Sequence, residues 1–122
     1  MRTPASRSSG GIPMARAMMA SRVGEATMSA YQRSKYTLEF AQDGTFSALA
    51  DCNTVTGTYT TANFAAASGS LTLTPGASTA VACPDGSFAD LYTYGLANVS
   101  SYAIADGKLT LTLLDDGQLT FE

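Results

Sequence analysis

Alternation of apolar and polar residues, interrupted by Asp-Gly pairs, constrains this chain more than any other feature. In Tyr36-Thr37-Leu38-Glu39-Phe40 the apolar side chains take every second position, and after Asp43-Gly44 the alternation resumes with Phe46 and Ala48 against Ser47 and Leu49. Successive side chains of a strand point to opposite faces, so such a run buries one face and wets the other. Asp-Gly accepts the positive φ angles of a tight turn, and the two runs therefore predict a hairpin. The signal recurs where Tyr102-Ala103-Ile104 leads through Asp106-Gly107 into Leu109, Leu111 and Leu113. It recurs again through Asp116-Gly117 into Leu119-Thr120-Phe121. Thr56 to Thr61 and Ser70 to Thr74 read as two more strands, the second stopped by Pro75-Gly76. About six or seven short strands at this spacing predict a mainly β chain, a compact antiparallel barrel or sandwich.

One segment departs from the period of two. Phe88, Leu91, Tyr92, Leu96 and Val99 recur at helical spacing, and Ser87 with Asp90 three residues on is a loose capping box. The pattern predicts one helix from about Ser87 to Asn98 that packs this stripe on the sheet, which makes the fold class α+β with β dominant.

Charge divides the chain. Residues 1–35 hold six Arg or Lys and one acid, Glu25, a net of +5; residues 36–122 hold Lys108 and nine acids, a net of −8. All the methionines also fall before residue 29. The division predicts a basic, Met- and Ser-rich segment over 1–35, flexible or contributing a partial first strand, and a folded domain over 36–122. Val23 to Tyr31, with Ala26, Met28 and Ala30 alternating against polar residues, is a candidate for that strand. An acidic body argues against nucleic acid, whose binding rests on Lys and Arg neutralising phosphates. The chain as written has no transmembrane segment and no signal-peptide core, its longest apolar run near the start being Ala17 to Ala20. The basic segment reads as a flexible tail, or as an upstream start assigned to a truncated gene. A transit peptide and a cationic membrane-surface helix over Met14 to Val23 are the alternatives.

The chain contains no histidine and two cysteines. That removes Ser-His-Asp and Cys-His catalysis, imidazole proton relays and the familiar His-based metal sites, so no metal or cofactor is expected and no catalytic residue is assigned. No P-loop, dinucleotide fingerprint or calcium-loop spacing is present. Carboxylate-pair hydrolysis survives as a mechanism, but the acids lie mainly in turns, where Asp serves backbone geometry. Cys52 and Cys83 are a disulfide candidate; two buried free thiols are the alternative, and their wide separation is unlike a catalytic Cys-x-x-Cys. Asp51 and Asn53 beside Cys52 satisfy their own turn or, together with Thr79, contact a ligand. Asn98-Val99-Ser100 matches a glycosylation sequon at the helix end and reads as chance.

Three segments form a set: Tyr36-Thr-Leu-Glu-Phe followed by Asp43-Gly44; Ala50-Asp-Cys-Asn53 followed by Gly57-Thr-Tyr59; and Ser78-Thr79 followed by Ala82-Cys-Pro84. With the helix and the final hairpins they resemble the META domain, the HslJ-like family of small envelope-associated proteins, over about residues 36–122. The resemblance implies a barrel-like domain with one helix, carried by bacterial lipoproteins or exported proteins and linked to heat-shock and antibiotic tolerance. It therefore implies a place in the cell envelope, the periplasm or outside the cell, although a chain without a signal peptide also suits the cytoplasm. The expected function is non-enzymatic, binding an unknown protein or small molecule or giving structural support. The alternatives are a small hydrolase using an Asp/Glu pair and an oligomeric module. Family members usually begin with a Trp-containing strand, and this chain has no Trp. Without a substitute strand one sheet edge stays open, which invites a homodimer.

Overall fold

Each Asp-Gly pair turns the chain, in geometries its neighbours dictate. The computed structural model describes residues 18–24, 26–62, 66–79 and 81–122. Strand β8 (Val99–Ala105) returns as β9 (Lys108–Leu113) through Asp106 and Gly107, both at positive φ (54° and 78°), a two-residue turn with Ala105 opposite Lys108. Between β3 (Tyr36–Phe40) and β4 (Thr45–Ala50), Ala41 N donates to Thr45 O while Gly44 takes φ 89°. The Asp43 carboxylate accepts from Thr45 N (3.1 Å) and Thr45 Oγ1 (2.6 Å), and these bonds, the hydroxyl's first, hold its carboxyl below the usual aspartate value.

The remaining elements are β1 (Met18–Val23), β2 (Ala26–Thr27), α1 (Ala30–Arg33), β5 (Asn53–Thr60), β6 (Ser68–Ser70), β7 (Thr72–Ser78), α2 (Ala89–Ala97) and β10 (Gln118–Phe121). The strands form one antiparallel ladder in the order β6-β8-β9-β10-β1-β3-β4-β5-β7, with β2 beside β1. The two ends of that ladder, β6 and β7, flank the single residue Leu71, whose N–H donates to Ser100 O (3.2 Å). The sheet therefore closes nearly into a barrel through one continuous segment. Its interior is filled by side chains: Leu38, Phe40, Leu71, Leu96, Leu111, Leu119 and Phe121 are almost wholly buried. Helix α2 lays Ala89, Tyr92, Gly95 and Leu96 on this core, and the Tyr92 hydroxyl donates to Thr37 O (2.6 Å).

Several expectations change. The first strand is Met18–Val23, not Val23 to Tyr31, and it lies on the basic side of Tyr36, between β10 and β3. A register shift between Ala20 and Arg22 buries the adjacent Ala20 and Ser21 and hides the alternation. The segment after it breaks because Ser29 caps α1: its hydroxyl accepts from Gln32 N, and the Gln32 side chain accepts from Ser29 N. With β1 in place, the edge that a missing first strand would have left open is occupied. The ladder also holds more strands than the sequence suggested, because β1, β2 and β6 carry weak patterns.

Pro75-Gly76 does not end a strand. It lies within β7 opposite Gly57, where the register shifts between Thr56 and Gly57. A Cβ on Gly57 would run into the Thr74 carbonyl, so glycine is required there. Proline is admitted because β7 terminates the ladder. Helix α2 begins at Ala89 rather than Ser87, with Ser87 Oγ accepting from Ala89 N, and the Ser87–Asp90 box does not form. Leu91, placed in the apolar stripe, is instead 47% exposed, because the buried face runs through 89, 92, 95 and 96.

Candidate functional site

The sequence-nominated residues Asp51, Cys52, Asn53, Thr79 and Cys83 meet at one corner of the barrel. The β4–β5 connection is two residues long, and Asp51 in it adopts φ 59°, a conformation Asp tolerates. Cys52 and Cys83 are joined, their Cα atoms 5.6 Å apart, so the segment entering α2 is tied to this turn. Asn53 Nδ2 donates to Val81 O (2.9 Å), while its Oδ1 accepts from Val81 N (2.8 Å) and Thr79 Oγ1 (2.7 Å). Thr79 Oγ1 accepts in turn from Thr54 N (3.0 Å). Asn53 and Thr79 are thus engaged in fastening Thr79 and Val81 to the start of β5, beside the backbone bond from Thr79 N to Thr54 O (3.1 Å).

Asp51 faces Lys35 at 3.7 Å, and Lys35 Nζ lies 4.6 Å from the Tyr31 ring centroid. The Tyr31 hydroxyl, with smaller help from Asp51, holds the lysine above its ordinary value. Two shallow hollows flank this corner. One, of about 290 Å³, lies between Asn53 and the 81–90 segment; the other, of about 340 Å³, lies among Tyr31, Lys35, Asp51 and Asp85.

A larger cleft among the described residues, about 680 Å³, is elsewhere, in a place the sequence did not indicate. One wall is α2, presenting Leu91 and Tyr94; the other is the β9–β10 turn with Asp115, Asp116 and Gly117, and the end of β1 adds Arg22 and Gly24. Leu113 and Leu119 also line it. Leu91 (47% exposed) and Tyr94 (51%) lie in the cleft, and Leu114 (72%) lies in the turn beside it, a concentration of exposed apolar side chains rimmed by charge. Asp115 is engaged: Oδ1 accepts from Gly117 N (2.9 Å) and Oδ2 from the Tyr94 hydroxyl (3.4 Å). Arg22 Nε donates to Gly24 O (3.2 Å). Leu91 and Tyr94 carry the signal that would have revealed this site: in the sequence they share a face distinct from Tyr92 and Leu96, at i and i+3.

Among the described residues, no group of three His, Cys, Asp or Glu gathers as a metal site. Nor does any described helix have the length and apolarity to cross a membrane.

A nearly closed antiparallel barrel with a packed interior and one covering helix defines the class: a small β-barrel domain. Within it, the chain belongs to the META domain family, whose model matches residues 17–122. No curated protein matches it. Two solved structures share the fold. The NMR structure of a protein from Burkholderia xenovorans is 22% identical with a TM-score of 0.64, over 87% of this chain and 79% of the other. The crystal structure of a DUF4847 family protein from Bacteroides vulgatus is 15% identical with a TM-score of 0.60, over 94% and 92%. The match from residue 17 takes in β1, which agrees with the strand's central place in the sheet.

Proposed function

We propose that this META domain is a non-enzymatic binding module of the cell envelope, associated with stress tolerance. Its partner is an extended peptide segment carrying an apolar side chain and both signs of charge. The observation that carries this reading is the cleft beside α2. Among the described residues the barrel interior is occupied by buried side chains, so recognition is placed on the surface. There Tyr94 and Leu91 offer an apolar seat between Arg22 on one side and Asp116 on the other. Tyrosine and arginine are the residue types on which such interfaces most often depend. The Cys52–Cys83 bridge supports an oxidising compartment.

The adjacent carboxylates of Asp115 and Asp116 favour the hydrolase as a second reading. Against it, both residues are exposed and Asp115 is tied into its own turn through Gly117 N, so the pair does not converge on an enclosed site where a substrate would be held between them.

Titrating labelled protein with hexapeptides that each contain one Phe, one Lys and one Glu should shift the amide resonances of Leu91, Tyr94, Arg22 and Asp116. Arg22→Glu with Tyr94→Ala should abolish the shifts. Peptide-induced shifts confined to other faces, or none at millimolar peptide, would overturn the assignment of the cleft. Cleavage of chromogenic esters or glycosides that vanishes in Asp116→Asn would establish the hydrolase instead.

A further inference from the structure

The two sulfurs of the bridge have unlike surroundings. Cys83 Sγ receives the Cys52 N–H at 3.3 Å and lies 3.5 Å from the donor Asn53 Nδ2. Cys52 Sγ has the same amide more distantly, at 3.7 Å, and the Val81 carbonyl oxygen nearer, at 3.6 Å against 4.0 Å for Cys83 Sγ. Cys52 is exposed, whereas Cys83 is partly buried and packed against the core. N–H donors stabilise a thiolate, and a carbonyl oxygen beside a sulfur opposes one.

We propose that Cys52 is a site of reversible S-thiolation, at which an incoming thiolate attacks Cys52 Sγ and expels Cys83 as the thiolate. The exposure of Cys52 and the donors on Cys83 Sγ suit this polarity. Attack on a disulfide sulfur is in line with the bond being broken, and the exchange is faster when the departing sulfur is the better-stabilised anion. The step balances as follows: the thiolate RS⁻ forms an S–S bond to Cys52, the Cys52–Cys83 bond breaks, and its electron pair remains on Cys83 Sγ, held by Cys52 N–H and Asn53 Nδ2. No net oxidation occurs in this step. A second thiolate, from a thiol reductant, then attacks the outer sulfur of the mixed disulfide; an external disulfide forms, the bond to Cys52 breaks with its electron pair left on Cys52 Sγ, and two protein thiols remain.

The charged groups around the bridge do not reverse the asymmetry. Asp51 adjoins Cys52 and is paired with Lys35 at 3.7 Å, so its charge is offset and the pair favours neither sulfur. Asp85 and Asp90 lie on the segment that carries Cys83, but both are exposed and solvated, so their field is screened. Contact donors on the sulfur act at shorter range than either. Exchange at Cys52 would release the 81–88 segment from the β4–β5 turn, leaving it held by Asn53 and by the Phe88 N–H bond to the Tyr36 hydroxyl (2.8 Å).

The test uses the oxidised full chain and reduced glutathione. The reaction is quenched at short times with N-ethylmaleimide, and the peptides are mapped by mass spectrometry. The expected product carries glutathione on Cys52 and maleimide on Cys83, in at least tenfold excess over the reverse adduct. Equal adducts, or glutathione mainly on Cys83, would overturn the proposal. A second measurement does not depend on the bridge: alkylation rate against pH for the lone thiols of Cys52→Ser and Cys83→Ser. The Cys83 thiol should titrate at lower pH than the Cys52 thiol, and Asn53→Ala in the Cys52→Ser background should move it upward. The same titration for both thiols would also refute the assignment.

Discussion

Thr110 and Leu111 are neighbours on β9 that face opposite ways: Leu111 is fully buried opposite Leu119 and Tyr102, while Thr110 faces outward opposite Thr120 and Ala103. Leu111→Ala should lower stability in urea unfolding by about 2 to 5 kcal/mol, and Thr110→Ala by under about 1 kcal/mol, because one leaves a cavity in the core and the other trims a solvated face. Equal costs would mean a register shifted by one residue. Tyr92 makes a second prediction at this scale. Its hydroxyl is buried, and burial pushes it well above the ordinary tyrosine value. Below about pH 10 the folded and unfolded chains both keep that proton, so stability does not depend on it. Above it the unfolded chain releases the proton and the folded chain does not, and stability falls as pH rises. Urea midpoints should therefore be level to about pH 10 and then decline. Tyr92→Phe should lose about 1 kcal/mol below about pH 10 with its bond to Thr37 O, and show a shallower alkaline decline, so that its deficit narrows as pH rises further. Some decline should survive, since burial also raises Tyr59. An unchanged slope in the variant would show that Tyr92 stays protonated in neither state.

The hairpins were legible as elements because alternation and turn chemistry agree there: Leu109, Leu111 and Leu113 point inward on one side of Asp106-Gly107, and the pairing follows. The site corner was legible in its residues, since Asp51, Cys52, Asn53, Thr79 and Cys83 stand beside turns, although their mutual bonds were not. What failed was local. β1 was unreadable because its bulge places Ala20 and Ser21 both inward, and α2 was misphased because its buried positions include Ala89 and Gly95, small residues that weigh little in an apolar pattern. Gly95 is small for a reason, since a Cβ there would press on Leu119. The phase error hid the cleft by assigning Leu91 to the core. The consequence for β1 is testable. It pairs with β10 through Ala20, Arg22 and Val23 and with β3 through Met18 and Met19, so it joins the two halves of the ladder. Deleting residues 1–23 should abolish the cooperative thermal transition, because the row of N–H and C=O groups on β3 and β10 would lose partners while Leu38 and Phe121 lost cover. A truncated chain that melts cooperatively at the full-length midpoint would show that β1 is dispensable.

The barrel closes through the segment that the disulfide encloses. Cys52 and Cys83 stand 31 residues apart, and between them lie β5, β6 and β7, hence both ends of the ladder. Closure is the costly step of such a topology: β6 must reach β8 while β7, one residue further on, reaches β5. These are contacts of long sequence separation, whose entropy is lost before their bonds form. A cross-link over this loop removes much of that entropy from the unfolded chain, about 3 to 4 kcal/mol on the chain-entropy account. That is a large share of the roughly 5 to 15 kcal/mol typical of a whole domain. Replacing both residues, Cys52→Ser with Cys83→Ser, should therefore lower unfolding free energy in urea by about that amount while leaving the ladder intact, because Asn53 and Thr79 still fasten the 79–83 segment at their own bonds. Amide exchange should localise the loss: β5 and β7 become less protected by the fall in global stability, and the amides of Val81 and Thr54, which lean on Asn53 and Thr79, remain slower than their exposed neighbours. A loss below about 1 kcal/mol would mean that the unfolded chain already keeps this loop nearly closed, and the bridge would then be no device of closure.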